Sequence, residues 1–538
     1  MKQKIVTLGL FVLLGIVLTT FVLTPFTGDI YVFLGSAHQM EFFDGNFLER
    51  AFHTWDVKGI FARTFMCALY RIALTFADFA SLRFEIYVRL IYLIFALVLL
   101  LLSARLLCSS CKRWWLYFTF LALGLFATHY ASHLQHEMTA VLIMLLSYAI
   151  LISNEASPKR RLLKDFLSGL LLGSLPYFKS IFVILPPIVI SAVCLTQPNV
   201  MSICRQTSYK RLYALILGGL IMGLSGLSLI LFLYPEEIQD ILDVSAFQST
   251  LISGGFLSVA NSLYSFGIAF FCQCLPMNPI VAIGATVTLA NLTQDFKSHN
   301  IPSLFCHFVL WAVPACFILL SNCFFAYHYY AFVFSAIIEC FARTNHHAHE
   351  KCGSKIRISV AGILVTLTII YFANMSVFSG NFSNYIYAND LQHKHHSELF
   401  KKFPDIASET ILYLDSGQGS YLVGGHSYLK YSYPLPLQRI GVDSKFHKLP
   451  CRLRCHEQAM LYNGKYVVLD EQWFCQNGRN LTIANKIKNE YDQVGEVHYM
   501  AREWKLFGKP EFTDRIFKLY SKRQLNSKSA QDISAEES

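Results

Sequence analysis

Long apolar runs divided by short polar segments fill the first two thirds of this chain. A window of about nineteen residues, the length that crosses a bilayer core, picks out runs near 5–26, 85–107, 114–128, 137–153, 162–176, 180–196, 211–233, 276–291, 303–321, 324–341 and 358–376. About eleven membrane-spanning helices are predicted. The first run ends in Thr24-Pro25-Phe26-Thr27-Gly28-Asp29, where Pro and Gly stop the helix and leave a carboxylate at its mouth. No small-x-small cleavage site precedes Asp29, so the run reads as a first span and not as a removable signal. Within 59–79, Phe61, Phe65, Leu69, Ile72 and Phe76 recur at helical spacing and predict an amphipathic helix lying on the membrane surface. The stretch 249–271 predicts a second interfacial helix.

After about residue 376 the pattern changes to that of a polar, globular sequence. Residues 409–415, 465–470 and 515–520 have strand character and 481–490 helical character, which predicts a small α/β domain over 377–523, followed by a disordered polar tail over 524–538. Gly417-Gln418-Gly419 and Gly424-Gly425 follow the first strand without forming GxGxxG and read as turns. The predicted fold class is therefore a polytopic α-helical membrane domain, residues 1–376 with a long outer loop at 27–84, carrying an extracytoplasmic α/β domain.

Composition agrees, since 54% hydrophobic and 15% charged residues over 538 positions is too apolar for an ordinary soluble chain. Lys2 and Lys4, Arg105 to Arg113, Lys159 to Lys164, Arg205 to Arg211 and Arg343 to Arg357 fall in alternate loops, which makes those loops cytoplasmic. The net charge of +10 is explained by these loops and anionic lipid headgroups, with no nucleic acid needed. Most of the fifteen cysteines sit in apolar runs. Of Cys451, Cys455 and Cys475 in the outer region, Cys475 is expected to bridge to one of the other two in an oxidising compartment.

Sorting polar residues by the predicted face gathers candidates for chemistry on the outside. Asp29 is a possible catalytic carboxylate and equally a helix cap. Glu137 opens a span and is expected to face the bundle interior. Lys179, in an outer turn without a neighbouring acid in sequence, suits a lipid-linked phosphate or simple snorkelling to the interface. His328, in Ala326-Tyr327-His328-Tyr329-Tyr330, suits a phosphate or a sugar, while the tyrosines suit an aromatic belt. His129, His133 and His136 lack the pattern of a metal site.

Gly28-Asp29-Ile30-Tyr31, the loop Trp55-Asp56-Val57-Lys58-Gly59-Ile60-Phe61-Ala62-Arg63 and Tyr327-His328-Tyr329-Tyr330 resemble the GT-C glycosyltransferases, in particular bacterial members of the protein-mannosyltransferase and lipid-A-sugar-transferase superfamily. The resemblance implies a multi-pass inner-membrane enzyme that moves a sugar from a polyprenyl-phosphate carrier on the extracytoplasmic face. It implies Asp29 as catalytic acid/base, and carrier or substrate contacts from Lys179, His328, Glu137, Tyr329, Lys58 and Arg63. An adjacent Asp-Glu pair found in protein mannosyltransferases is absent, Glu41 and Asp44 being separate, so the acceptor is open among glycan, lipid and protein. A divalent cation bridging the phosphate is compatible with this chemistry, though no dedicated ligand set stands out. No phosphate loop for ATP occurs. The competing readings are a flippase or transporter of lipid-linked sugars and a surface-polysaccharide polymerase or ligase.

Overall fold

The computed structural model describes residues 2–23, 29–54, 59–77, 84–107, 114–127, 134–153, 157–196, 208–235, 238, 242, 255–275, 278–321, 330–348, 382–429, 450–475, 480–503 and 511–523. In chain order the helices are α1 (Lys2–Leu23), α2 (Asp29–Gln39), α3 (Phe47–His53), α4 (Ile60–Ala77), α5 (Phe84–Leu107), α6 (Trp114–Phe126) and α7 (His136–Ile152). There follow α8 (Pro158–Ser174), α9 (Pro186–Thr196), α10 (Ser208–Leu233), α11 (Gly255–Ala269), α12 (Pro279–Lys297), α13 (Ile301–Ser321) and α14 (Ala331–Ala348). Four described helices are long and apolar enough to cross a membrane, at Ile60–Ala77, Phe84–Leu107, Tyr209–Leu233 and Ile301–Leu319. The predicted span at 358–376 and the tail lie outside the described residues.

Helix α7 is the axis of the bundle. It is buried along almost its whole length and packs against α5, α8, α9 and α14. Hydroxyls tie it to those neighbours: Tyr92 meets Thr139 at 3.1 Å, Tyr148 donates to Thr196 at 2.9 Å, and Ser147 and Ser168 each donate to the other's carbonyl. Such bonds satisfy groups that an apolar interior would otherwise penalise. The α8–α10 pair approaches so closely that a Cβ on Gly169 would lie 2.0 Å from the Leu215 carbonyl oxygen. Asp165 of α8 receives two bonds from Arg211 of α10, at 2.8 and 2.9 Å, so one of the basic residues that set the predicted topology is also a structural tie.

Helix α4 is amphipathic, as the spacing predicts, and the stripe that spacing picks out is divided between the interior and the surface. Ala62, Met66, Leu69, Tyr70 and Ala73 are inside, while Ile72 and Phe76 are about half exposed. Ala62 and Ala73 permit close contact with the neighbouring α2 and α5. The interfacial helix expected at 249–271 corresponds to α11, with Leu263 and Tyr264 exposed.

The C-terminal region begins with α15 (Phe382–Lys402) and contains β1 (Thr410–Leu414), α16 (Gly419–Val423), β2 (His426–Ser427), α17 (Pro450–Leu461), β3 (Tyr466–Leu469), α18 (Leu481–Glu490), β4 (Tyr491–Glu503) and β5 (Glu511–Lys522). These strands form one sheet of order β2-β1-β3-β5-β4, in which β1 is parallel to both β2 and β3 while β5 runs antiparallel to β3 and β4. Its core includes Leu412, Leu414, Tyr462, Val467, Leu469, Ile483 and Ile487. The disulfide expected from Cys475 does not form: Cys475 is a free thiol packed against this core, and Cys455 is buried in it.

Candidate active site

Asp29 is the first residue of α2, and α1 ends at Leu23. Its side chain is outside what the structure describes. The rest of α2 is clamped on two sides. On the bundle side, the Phe33 ring lies 4.8 Å from the His136 ring at the start of α7. On the other side, α2 meets the C-terminal domain through Gly35, where a Cβ would fall 2.2 Å from Ser420 Oγ.

Two further side chains lock that second contact. His38 joins Tyr70 of α4 at 2.7 Å and the carbonyl of Gly424. Gln39 donates to the Gly425 carbonyl at 3.1 Å and accepts from the Ser427 amide at 2.7 Å. The turn they grip is shaped by glycine, Gly424 having φ +79° at the end of α16. Asp415 shapes the loop before it, accepting the amides of Gly417 and Gly419 at 2.7 Å each. Gly417 and Gln418 thus bend the chain as expected, while Gly419 opens α16. Burial outweighs those bonds and raises the Asp415 carboxyl to about 7.

Tyr31, near the start of α2, sits between the rings of Tyr421 and Tyr499 at 5.3 and 5.4 Å. Burial, with the nearby Glu85 carboxylate, pushes its hydroxyl well above the ordinary range. Glu85 accepts from Tyr421 at 3.3 Å and lies 3.4 Å from His393 of α15. Arg89, one turn further along α5, is fully buried. His396 bonds the Leu422 carbonyl, and burial lowers its pKa to about 4, which keeps the ring neutral. A polar, aromatic seam therefore joins the mouth of the bundle to the C-terminal domain.

Next to His136 in sequence, Glu137 is buried and receives Lys179 Nζ at 2.9 Å. The acid that Lys179 lacks in sequence is supplied across 42 positions. Lys179 also faces the Phe317 and Phe182 rings at 5.4 and 6.0 Å. Arg63 is buried on α4 and donates to the Thr54 carbonyl at the end of α3. Lys58, His328 and Tyr329 lie outside the described residues; Tyr330, next in sequence, donates to the Leu125 carbonyl at the end of α6. The structure thus brings Glu137 and Lys179 together beside the helix that Asp29 opens. Among the described residues, the metal-type donors that converge within ligand reach are on α15 and the β4–β5 hairpin and not here.

A second polar cluster escaped the sequence reading. On α12, α13 and α14, His307 lies between Glu339 at 2.7 Å and Asp295 at 3.1 Å, while Asn291 donates to Glu339 at 2.9 Å. All four are buried. Ionisable residues inside apolar helices were the available signal. Sorting by the outer face alone passed over them.

No family model and no curated protein matches this chain. Its similarity to solved structures includes two crystal structures of an oligosaccharyltransferase from Archaeoglobus fulgidus. One is tethered by a disulfide to an acceptor peptide containing the NVT sequon; it has 12% identity and a TM-score of 0.39, covering 94% of this chain and 74% of that one. The other is a complex with Zn and sulfate, at 12% identity and a TM-score of 0.40, covering 93% and 73%. At that identity and score the similarity assigns neither family nor activity, and the functional reading rests on the chain's own residues.

Proposed function

We propose that this protein is a membrane glycosyltransferase of the GT-C kind, which transfers a sugar from a polyprenyl-phosphate carrier to a glycan, lipid or protein acceptor at the extracytoplasmic mouth of its bundle. The observation that carries the reading is a helix headed by a carboxylate, held between the bundle and the C-terminal domain, with the buried Glu137–Lys179 pair one contact away. Transfer from such a carrier needs a base to take the acceptor hydroxyl's proton and a cation to stabilise the departing phosphate. Asp29 supplies the base and Lys179 the cation, with Glu137 holding the ammonium in place until the carrier's phosphate arrives. His328, Tyr329, Lys58 and Arg63 complete the proposed carrier and substrate contacts.

The test is Asp29→Asn in purified protein supplied with a polyprenyl-phosphate sugar. An amide keeps the side-chain shape and caps a helix about as well as a carboxylate, but it cannot accept the proton. Transfer is expected to fall by about a hundredfold to ten-thousandfold with the melting temperature unchanged. Near-normal turnover would reduce Asp29 to a cap and remove the proposed mechanism.

A further inference from the structure

Helix α15 carries Gln392-His393-Lys394-His395-His396, and its three histidines go three ways. His393 turns to Glu85 and His396 to Leu422, both fastening the helix to the seam described above. His395 turns to the sheet, where its ring stacks on that of His498 with centroids 3.9 Å apart and planes within 9°. His498 in β4 and Asp514 in β5 are diagonal neighbours on one face, since the register pairs His498 with Ile516 and Met500 with Asp514. Asp514 Oδ2 lies 2.7 Å from His498 Nδ1, and Glu496 Oε2 lies 3.7 Å from His498 Nε2. His395, His498 and Asp514 each bring one ligand atom within 4.8 Å of the other two.

We propose that His395, His498 and Asp514 bind a divalent transition ion of the zinc type, which clips α15 to the β4–β5 hairpin. Two imidazoles and a carboxylate make a nitrogen-rich donor set that favours zinc over magnesium or calcium, whose preference is for oxygen. A tetrahedral zinc with bonds of about 2.0–2.1 Å keeps its donors roughly 3.4 Å apart. Side-chain rotation covers the difference, because His395 and His498 are only partly buried and Asp514 is exposed.

The backbone needs no rearrangement. The Gln392 amide donates to the His498 carbonyl and accepts from the Met500 amide, both at 2.8 Å. His395 is therefore carried, one turn on, by a helix already pinned to the strand that bears His498. Rigid elements of this kind are what a metal site requires. Glu496 stands at the other ring nitrogen of His498, and water fills the fourth position of the ion. The plainer account is a stacked histidine pair with a hydrogen-bonded aspartate, which predicts no ion.

The experiment uses full-length protein purified without a polyhistidine tag, stripped with chelator and titrated calorimetrically with Zn²⁺, with bound metal quantified in parallel. One equivalent is expected, undisturbed by an equal concentration of Mg²⁺, and the ion should raise the melting temperature. His395→Ala and His498→Ala should each weaken binding by more than about tenfold. Asp514→Asn preserves shape and a hydrogen bond to His498, so it tests the carboxylate as a ligand even if an alanine variant fails to fold. Absence of a stoichiometric site, or undiminished binding in both the His395→Ala/His498→Ala double variant and Asp514→Asn, would overturn the proposal.

Discussion

At the scale of single residues, Lys179 and Glu137 are coupled, and the coupling can be measured apart from function. Glu137 retains 2% of its side-chain exposure and Lys179 retains 16%, so removing either charge leaves the other buried without its opposite charge across the pair. Lys179→Met or Glu137→Leu alone should cost about 3–5 kcal/mol, whereas the double variant should recover most of that because two apolar side chains need no partner. Thermal denaturation of the three variants tests this. If the pair also serves the carrier's phosphate, the double variant folds yet does not transfer sugar. Recovery of both stability and activity would leave the pair a structural tie. Lys179 illustrates what residue-level reading can and cannot see: its cationic character is plain in sequence, but its partner is 42 positions away and only packing brings them together.

Among the elements, α2 is the one on which the others depend. Gly35→Val places two methyl groups where Ser420 Oγ already leaves no room for a Cβ. The expected result is a loss of about 1–3 kcal/mol, with faster amide exchange across 419–427 as that turn is pushed off the helix. Unchanged exchange there would mean that the contact is not tight. Strands β1 and β3 were legible because each is a short continuous apolar run, and β5 because Ile516, Phe517, Leu519 and Tyr520 flank a single lysine. Strand β4 was not, since Asp492, Gln493 and Glu496 face solvent and a bulge at Gln493/Gly495 interrupts the alternation. The apolar run at 276–291 likewise stops short of the end of α12 at Lys297, because Asn291 and Asp295 are polar yet turned inward toward Glu339 and His307. Hydropathy measures preference for lipid and is blind to polar groups that satisfy one another.

For the whole molecule, the orientation inferred from alternating basic loops puts the C-terminal domain outside the cytoplasm. Asn489 at the end of α18 is exposed and suits a reporter, whereas Ser420 is fully buried and does not. Asn489→Cys, in a background with the exposed Cys316 replaced, should react with a membrane-impermeant thiol reagent in intact cells. Labelling that requires permeabilisation would invert the topology and remove the outward-facing site with it. The division into a helical part and an α/β part was visible in the composition shift near residue 376. The seam between them was not, because Tyr31, Glu85, His393 and Tyr421 come from four distant segments, and each is unremarkable in its own.

That seam makes α2 a lever. Eleven residues of helix span about 16 Å, and the far end is bonded to the 424–427 turn through His38 and Gln39. A rocking of the C-terminal domain by about 10° would swing the Asp29 end by roughly 3 Å, as far as a hydrogen bond is long. On the proposed reading, an acceptor that tips the domain on binding would thereby shift the Asp29 end of the helix by the length of a hydrogen bond.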